Sequence, residues 1–149
     1  MKNQEVARAF ERAADILALL DENAFRVLAL RKVGRTIEEM ATPIEQVAAE
    51  GGGGGLEEVA GIGKSSAERI KEYLRTGRIA EFEEIAGQVP AGVLEIMKIP
   101  TVGPKTAALL WKEGGVTTVA GLLKEIELGE KSGLLKIKGL GTKKLLKMK

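Results

Sequence analysis

The chain has 149 residues, 44% of them hydrophobic but only 3% aromatic, so a core must be built from Leu, Ile, Val and Ala, a composition suited to packed helices. It has no cysteine and no histidine, which removes disulfides, thiolate and imidazole metal sites, and every Ser-His or Cys-His catalytic pair. The formal net charge of +2 hides an asymmetry: from Lys98 to Lys149 there are 11 basic residues against 4 acidic ones, while the rest of the chain is net acidic. A basic C-terminal half suits an anionic polymer, or simply keeps a small helical domain soluble. No apolar run approaches a membrane span, and Met1–Glu5 leads into an amphipathic helix instead of a signal peptide. The expectation is a cytoplasmic protein, associated with the nucleoid and without a membrane partner.

The elements follow in chain order. Asn3 is placed to cap a first helix that carries Val6, Phe10, Ala13, Ile16, Leu17 and Leu20 on one face. Asn23 caps a second helix, with Phe25, Leu28, Leu30 and Ile37 as its apolar positions. Thr42-Pro43 reads as an N-cap followed by proline in the first helical position, opening a short helix to about Glu50. Gly51–Gly55 is a loop, since glycine has the most backbone entropy to lose. Leu56–Ala60 forms a short helical lead into a turn. Gly63 then opens a helix through Ala67, Ile70, Tyr73 and Leu74 that stops at Thr76-Gly77. Ile79–Val89 is helical and closed by Pro90, and Ala91–Ile99 leads into a second turn. Pro104 starts a helix through Ala107, Leu110 and Trp111, with Trp111 on the core side, and Gly114-Gly115 ends it. Thr118 caps a helix to about Leu128, and a third turn and a basic tail follow. No run shows strand alternation. The fold class is all-α, divided into 1–88 and 89–149.

Three stretches are copies of one another: Val59-Ala60-Gly61-Ile62-Gly63-Lys64, Ile99-Pro100-Thr101-Val102-Gly103-Pro104-Lys105 and Ile137-Lys138-Gly139-Leu140-Gly141-Thr142-Lys143. Their last glycines, Gly63, Gly103 and Gly141, are 40 and 38 residues apart, the period of a repeated supersecondary unit. The unit is helix, tight hairpin, helix. Ile62, Val102 and Leu140 point inward and pin the turn to the core. The next helix starts with N–H groups that have no intrahelical acceptor and, with the positive end of its dipole, suit a phosphate oxygen. Lys64, Lys105 and Lys143 add a salt-sensitive attraction. Turn carbonyls at Val59 and Ile62, and at Ile99 and Val102, converge in a way that suits Na+ or K+ between loop and phosphate. No other cofactor is required.

Two rival nucleotide motifs fail. Gly63-Lys64-Ser65 ends like a P-loop, but Glu58 stands where that pattern needs glycine, and no strand precedes it. Gly61-Ile62-Gly63 lacks the third glycine of a dinucleotide fingerprint, because Ser66 is there.

The ordered set Asn3-Gln4-Glu5-Val6-Ala7, Asn23-Ala24-Phe25-Arg26-Val27, Ala60-Gly61-Ile62-Gly63, Thr76-Gly77-Arg78 and Val102-Gly103-Pro104-Lys105-Thr106-Ala107 resembles the N-terminal region of bacterial family X DNA polymerases, relatives of DNA polymerase beta. The resemblance covers essentially the whole chain. It implies an eight-kilodalton-type domain with one helix-hairpin-helix, then a fingers-type domain with two. It also implies binding to duplex, gapped or nicked DNA in base excision repair, with the first domain near a 5′-phosphate, and a polymerase catalytic domain in a longer chain. Only two aspartates, Asp15 and Asp21, are present, so the carboxylate cluster of a polymerase palm is missing. At the position of the family's deoxyribose-phosphate lyase nucleophile stands Arg69, which stays protonated. Leu30 replaces a tyrosine and Ser65 a lysine of the phosphate pocket, while Arg26 is retained as a phosphate holder. Thr101 stands where the second hairpin usually has its first glycine. No catalytic residue is assigned. The expected DNA-phosphate contacts are Gly61, Gly63, Lys64, Ser65, Arg69, Arg26, Gly103, Lys105, Thr106, Gly141 and Lys143. A residual lyase using Lys64 or Lys71, or a protein-interaction scaffold, are the alternatives.

Overall fold

The structure, a computed structural model, describes residues 2–50, 55–100 and 102–128. The described residues form α-helices and one 3-10 turn, without a strand. They divide into two compact units, one drawn from Met1–Leu17 and Glu22–Ala86, the other from Ala18–Asp21 and the residues from Gly87 on.

The helix α1 (Asn3–Leu19), in the first unit except for its last two residues, buries Val6, Phe10, Ala13, Ile16 and Leu17 at helical spacing. Leu19 rather than Leu20 is the buried residue at its end. Asn3 does not cap this helix. Its side chain is buried and points across to the following helices: Nδ2 donates to the Thr42 carbonyl (3.0 Å), and Oδ1 accepts from the Ile44 N–H (2.7 Å). It therefore caps α3 (Ile44–Ala49), whose own N-cap position is Pro43, one residue later than Thr42, with no side-chain cap of its own. A residue 41 positions away in sequence does what the local Thr42 was expected to do.

The second helix, α2 (Ala24–Glu39), starts as expected, with Asn23 Oδ1 accepting from the N–H groups of Phe25 (2.9 Å) and Arg26 (3.4 Å). Its buried face is Val27, Leu30, Val33, Gly34 and Ile37. Phe25 and Leu28 are 84% and 62% exposed. At about 100° per residue they stand roughly 140° or more from Leu30, so the face that buries Leu30 and Ile37 excludes them. Gly34 allows α2 to approach α1 closely; a methyl there would lie 2.9 Å from Glu11 Cγ and 3.2 Å from the Ala7 carbonyl oxygen.

Gly55 belongs to no loop: it is buried and opens the 3-10 turn Gly55–Glu58, where a methyl would lie 2.4 Å from the Val47 carbonyl oxygen. The other glycines of that run, 51–54, lie outside the described residues. Next, α4 (Lys64–Thr76) ends on Gly77 at φ 82°, whose N–H returns to the Tyr73 carbonyl. The helix α5 (Ala80–Ala86) is shorter than the expected Ile79–Val89. The Glu72 carboxylate accepts from the Ala80 N–H at 2.8 Å and so caps it, while Val89 is buried from non-helical backbone. Phe10 and Phe82 meet edge to face with centroids 5.2 Å apart.

In the second unit, α6 (Ala91–Met97) packs on α7 (Pro104–Lys112) and α8 (Val119–Leu128). A methyl at Gly92 would lie 1.9 Å from the Thr117 carbonyl oxygen, so the helix start sits directly on that loop. Gly115 at φ 66° follows α7, and Thr118 Oγ1 caps α8 by accepting from the Gly121 N–H (2.9 Å). Trp111 is half-buried, not core, and Lys112 Nζ lies 5.5 Å from its ring centroid. The third turn, with Leu140, Gly141 and Lys143, lies outside the described residues.

The Asn3 cap yields a stability test. Asn3→Ala leaves a buried Ile44 N–H without its acceptor, and is expected to cost about 1–3 kcal/mol, read as a lower urea midpoint at unchanged m-value.

Candidate nucleic-acid interface

The first two turns share one construction. At the first, the Val59 carbonyl accepts from the Ile62 N–H (3.0 Å), Ile62 is buried, and Gly63 is the N-cap of α4 at φ −90°, ψ −177°. At the second, the Ile99 carbonyl accepts from the Val102 N–H (2.8 Å), Val102 is buried, and Gly103 is the N-cap of α7 at φ −100°, ψ −176°. The first intrahelical bonds also match: Ala67 N–H to Gly63 and Ala107 N–H to Gly103, both 2.9 Å. One turn further on, Ile70 and Leu110 are fully buried. The correspondence holds residue for residue at an offset of 40.

This geometry exposes a row of donors. The N–H groups of Lys64, Ser65 and Ser66 precede the first helical bond of α4, and those of Lys105 and Thr106 precede that of α7. Pro104 contributes none. Neither N-cap uses a side chain. Lys64, Ser65 and Lys105 are exposed beside these donors, whereas Thr106 is buried.

The turn glycines have different reasons to be glycine. Gly61 sits at φ 95°, where an L side chain is strained, and a methyl would approach Thr36 Oγ1 to 2.9 Å. Gly63 and Gly103 have extended backbone that any residue adopts, and a methyl on either would meet nothing within 4 Å. Neither strain nor internal packing calls for glycine there. A side chain on either would point into open space. Thr101, which corresponds to Gly61, lies outside the described residues.

A second group of expected residues gathers beside the first turn. Arg69 of α4 donates from Nε to Glu81 Oε2 (2.7 Å), and its guanidinium lies 5.8 Å from the Phe82 ring centroid. Arg26, in the first turn of α2, bonds through Nη2 to the other oxygen, Glu81 Oε1. Lys64, Ser65, Glu68, Arg69 and Glu81 line a cavity of about 330 Å³. The structure thus brings Arg26, Lys64, Ser65 and Arg69 to one place, with Glu81 at its centre. Sequence reasoning missed Glu81, whose only local signal is an acidic residue in the first turn of a helix. The hydrogen bond from Arg69 holds the Glu81 carboxyl below its ordinary range, partly opposed by burial, with the Arg69 and Arg26 charges adding to the lowering. Leu30 is buried in the core of α2. Of the two aspartates, Asp15 pairs with Arg31 at 2.8 Å, and no group of three or more carboxylates suited to a metal ion occurs among the described residues. No described helix is long and apolar enough to cross a membrane.

Because Glu81 is depressed in the folded state, its stabilisation is present above the ordinary carboxylate pKa and disappears as pH falls through the lower folded value. Glu81→Gln is therefore expected to be less stable than the parent at pH 7, by under about 1 kcal/mol for so exposed a bridge. The difference should vanish in urea melts at pH 2–3.

Residues 1–79 match the family model described as "Helix-hairpin-helix domain", and residues 93–149 match one described as "SAM-like Helix-hairpin-helix tandem". The chain is 29% identical over 134 residues to the DNA polymerase/3′-5′ exonuclease PolX of Bacillus subtilis (strain 168). That alignment takes in 90% of this chain and 22% of the relative, so the chain spans about a fifth of the relative's length. The all-α, tandem helix-hairpin-helix fold and the resemblance to this region of family X polymerases are both borne out.

Proposed function

The chain belongs to the helix-hairpin-helix domain family, and we propose that it binds DNA through the sugar-phosphate backbone, without reading base edges. One observation carries this reading: two turns of the same construction each start a helix on an exposed glycine, Gly63 and Gly103, followed by N–H groups without intrahelical acceptors, where neither backbone conformation nor packing asks for glycine. A phosphate oxygen fits such a place, since it needs donors, a positive dipole end and close approach to backbone. Lys64 and Lys105 stand beside the two sets of donors as sequence-neutral charges. A monovalent cation held by the carbonyls of Val59 and Ile62, and of Ile99 and Val102, would sit between turn and phosphate. Gly141 and Lys143 supply a third contact of the same kind.

The similarity to PolX supports a finer reading. The substrate is gapped or nicked DNA of base excision repair, with the Arg26, Lys64 and Arg69 group near a 5′-phosphate and a polymerase catalytic domain elsewhere in a longer chain.

The test combines Gly63→Ala with Gly103→Ala and measures anisotropy of labelled gapped duplex across a salt series. The folded state should change by less than about 1 kcal/mol, because lost capping preference is offset by a less flexible unfolded chain. Affinity should fall about tenfold or more, and the parent's affinity should decline steeply with salt. Unchanged DNA affinity in the folded double variant would make the turns architectural.

A further inference from the structure

We propose that Glu81 is the specificity residue of a phosphate-monoester pocket, holding with its own carboxylate the place that a DNA-end phosphate takes by displacing it. The inference rests on the DNA reading and deepens it. Arg26 and Arg69 come from different helices, 43 residues apart in sequence, and each holds a different oxygen of the one carboxylate. Two guanidiniums converging on two oxygens form an anion site, and here the anion is internal.

The surroundings fit a larger anion than a carboxylate. The cavity of about 330 Å³ opens beside Glu81, and Lys64 and Ser65 line it. Lys64 makes no ion pair among the described residues. Glu68 lines the same cavity and adds a second negative charge. With three cations against two carboxylates, the pocket is nearly balanced until Glu81 leaves. The Glu81 side chain is 41% exposed and stands in the first turn of a seven-residue helix, so rotation into solvent needs no repacking of the core.

The consequence is selective. A backbone diester carries one charge and gains little by exchanging with a carboxylate of the same charge. A terminal monoester carries close to two charges and three strong acceptor oxygens, so it competes with Glu81 on better terms. Glu81 thus lets an end phosphate in, keeps continuous backbone out, and limits how tightly the end is held.

The test uses the full chain with Glu81→Gln, which keeps the size and removes the charge. The probes are a one-nucleotide-gapped duplex bearing 5′-phosphate or 5′-hydroxyl at the gap, a closed circular duplex without ends, and inorganic phosphate. The ratio of 5′-phosphate to 5′-hydroxyl affinity should rise about tenfold, the size of one charge-assisted hydrogen bond. Inorganic phosphate should raise the melting temperature of the variant more than that of the parent. Arg69→Ala added to Glu81→Gln should abolish both gains. A ratio that stays level or falls in folded Glu81→Gln would reduce Glu81 to a structural bridge and overturn the proposal. If Glu81→Gln does not fold, Glu81→Asp keeps the charge and withdraws it by one methylene. The ratio should then rise by a smaller factor, and no rise overturns the proposal equally. In the parent the closed circle reports on the hairpins alone, and in Glu81→Gln it should bind more tightly, because the carboxylate no longer keeps continuous backbone out. Its failure to bind the parent would defeat the backbone-gripping reading, while the inorganic phosphate response would still decide the pocket.

Discussion

A buried apolar residue inside each of the first two tight turns is the constraint from which the rest follows. Ile62 and Val102 are each nearly inaccessible, yet each lies one residue before an exposed glycine that starts a helix. Burying that side chain fixes the turn against its own unit and aims the following helix axis outward. The first-turn donors then have no choice but to face solvent or a ligand. The same apolar anchor closes the turn by donating its N–H to the carbonyl three residues back. Fold and interface are therefore one device: the contact that stabilises the turn is also the contact that presents the amides.

Charge is arranged on a different principle from shape. The backbone donors at the turns are fixed by covalent geometry and cannot be neutralised by a neighbouring side chain without filling the space that glycine keeps open. The arginines beside the first turn are different, since they are long and exposed enough to be shared. Glu81 shares them, and its lowered pKa reflects the strength with which Arg69 in particular holds the ionised form. An interface made of fixed dipoles plus adjustable ion pairs separates two tasks: general attraction for a phosphate chain and discrimination among phosphates.

How much of this was readable in the sequence depends on the range of each interaction. Caps and turns are local, so Asn23, Thr118, Gly77 and the starts at Gly63 and Gly103 are legible from neighbouring residues alone. The repeat at an offset of 40 is equally visible, because the same local chemistry recurs. Asn3 was misread because a helix-start asparagine looks the same whether its side chain bonds its own helix or another one 41 residues on. Which apolar positions of α2 are buried is not legible, because α2 carries apolar residues on more than one face, and only the tertiary neighbours choose between them. Glu81 was invisible for the same reason: its partners are 55 and 12 residues away, and no periodicity links a glutamate to two arginines on other helices.

An exposed phenylalanine and leucine beside Arg26 mean that the start of α2 spends apolar surface where burial gives it no return within its own unit. Arg26 follows Phe25 directly, and the Asn23 cap that orders both is exposed as well. The region around the first anion group is thus built from residues whose side chains do little for the stability of the fold. The core of this unit is supplied by α1 and the inner faces of α2, α3, α4 and α5, which leaves the outer residues of the α2 start, the α4 start and the α5 start to be set by what they meet outside it.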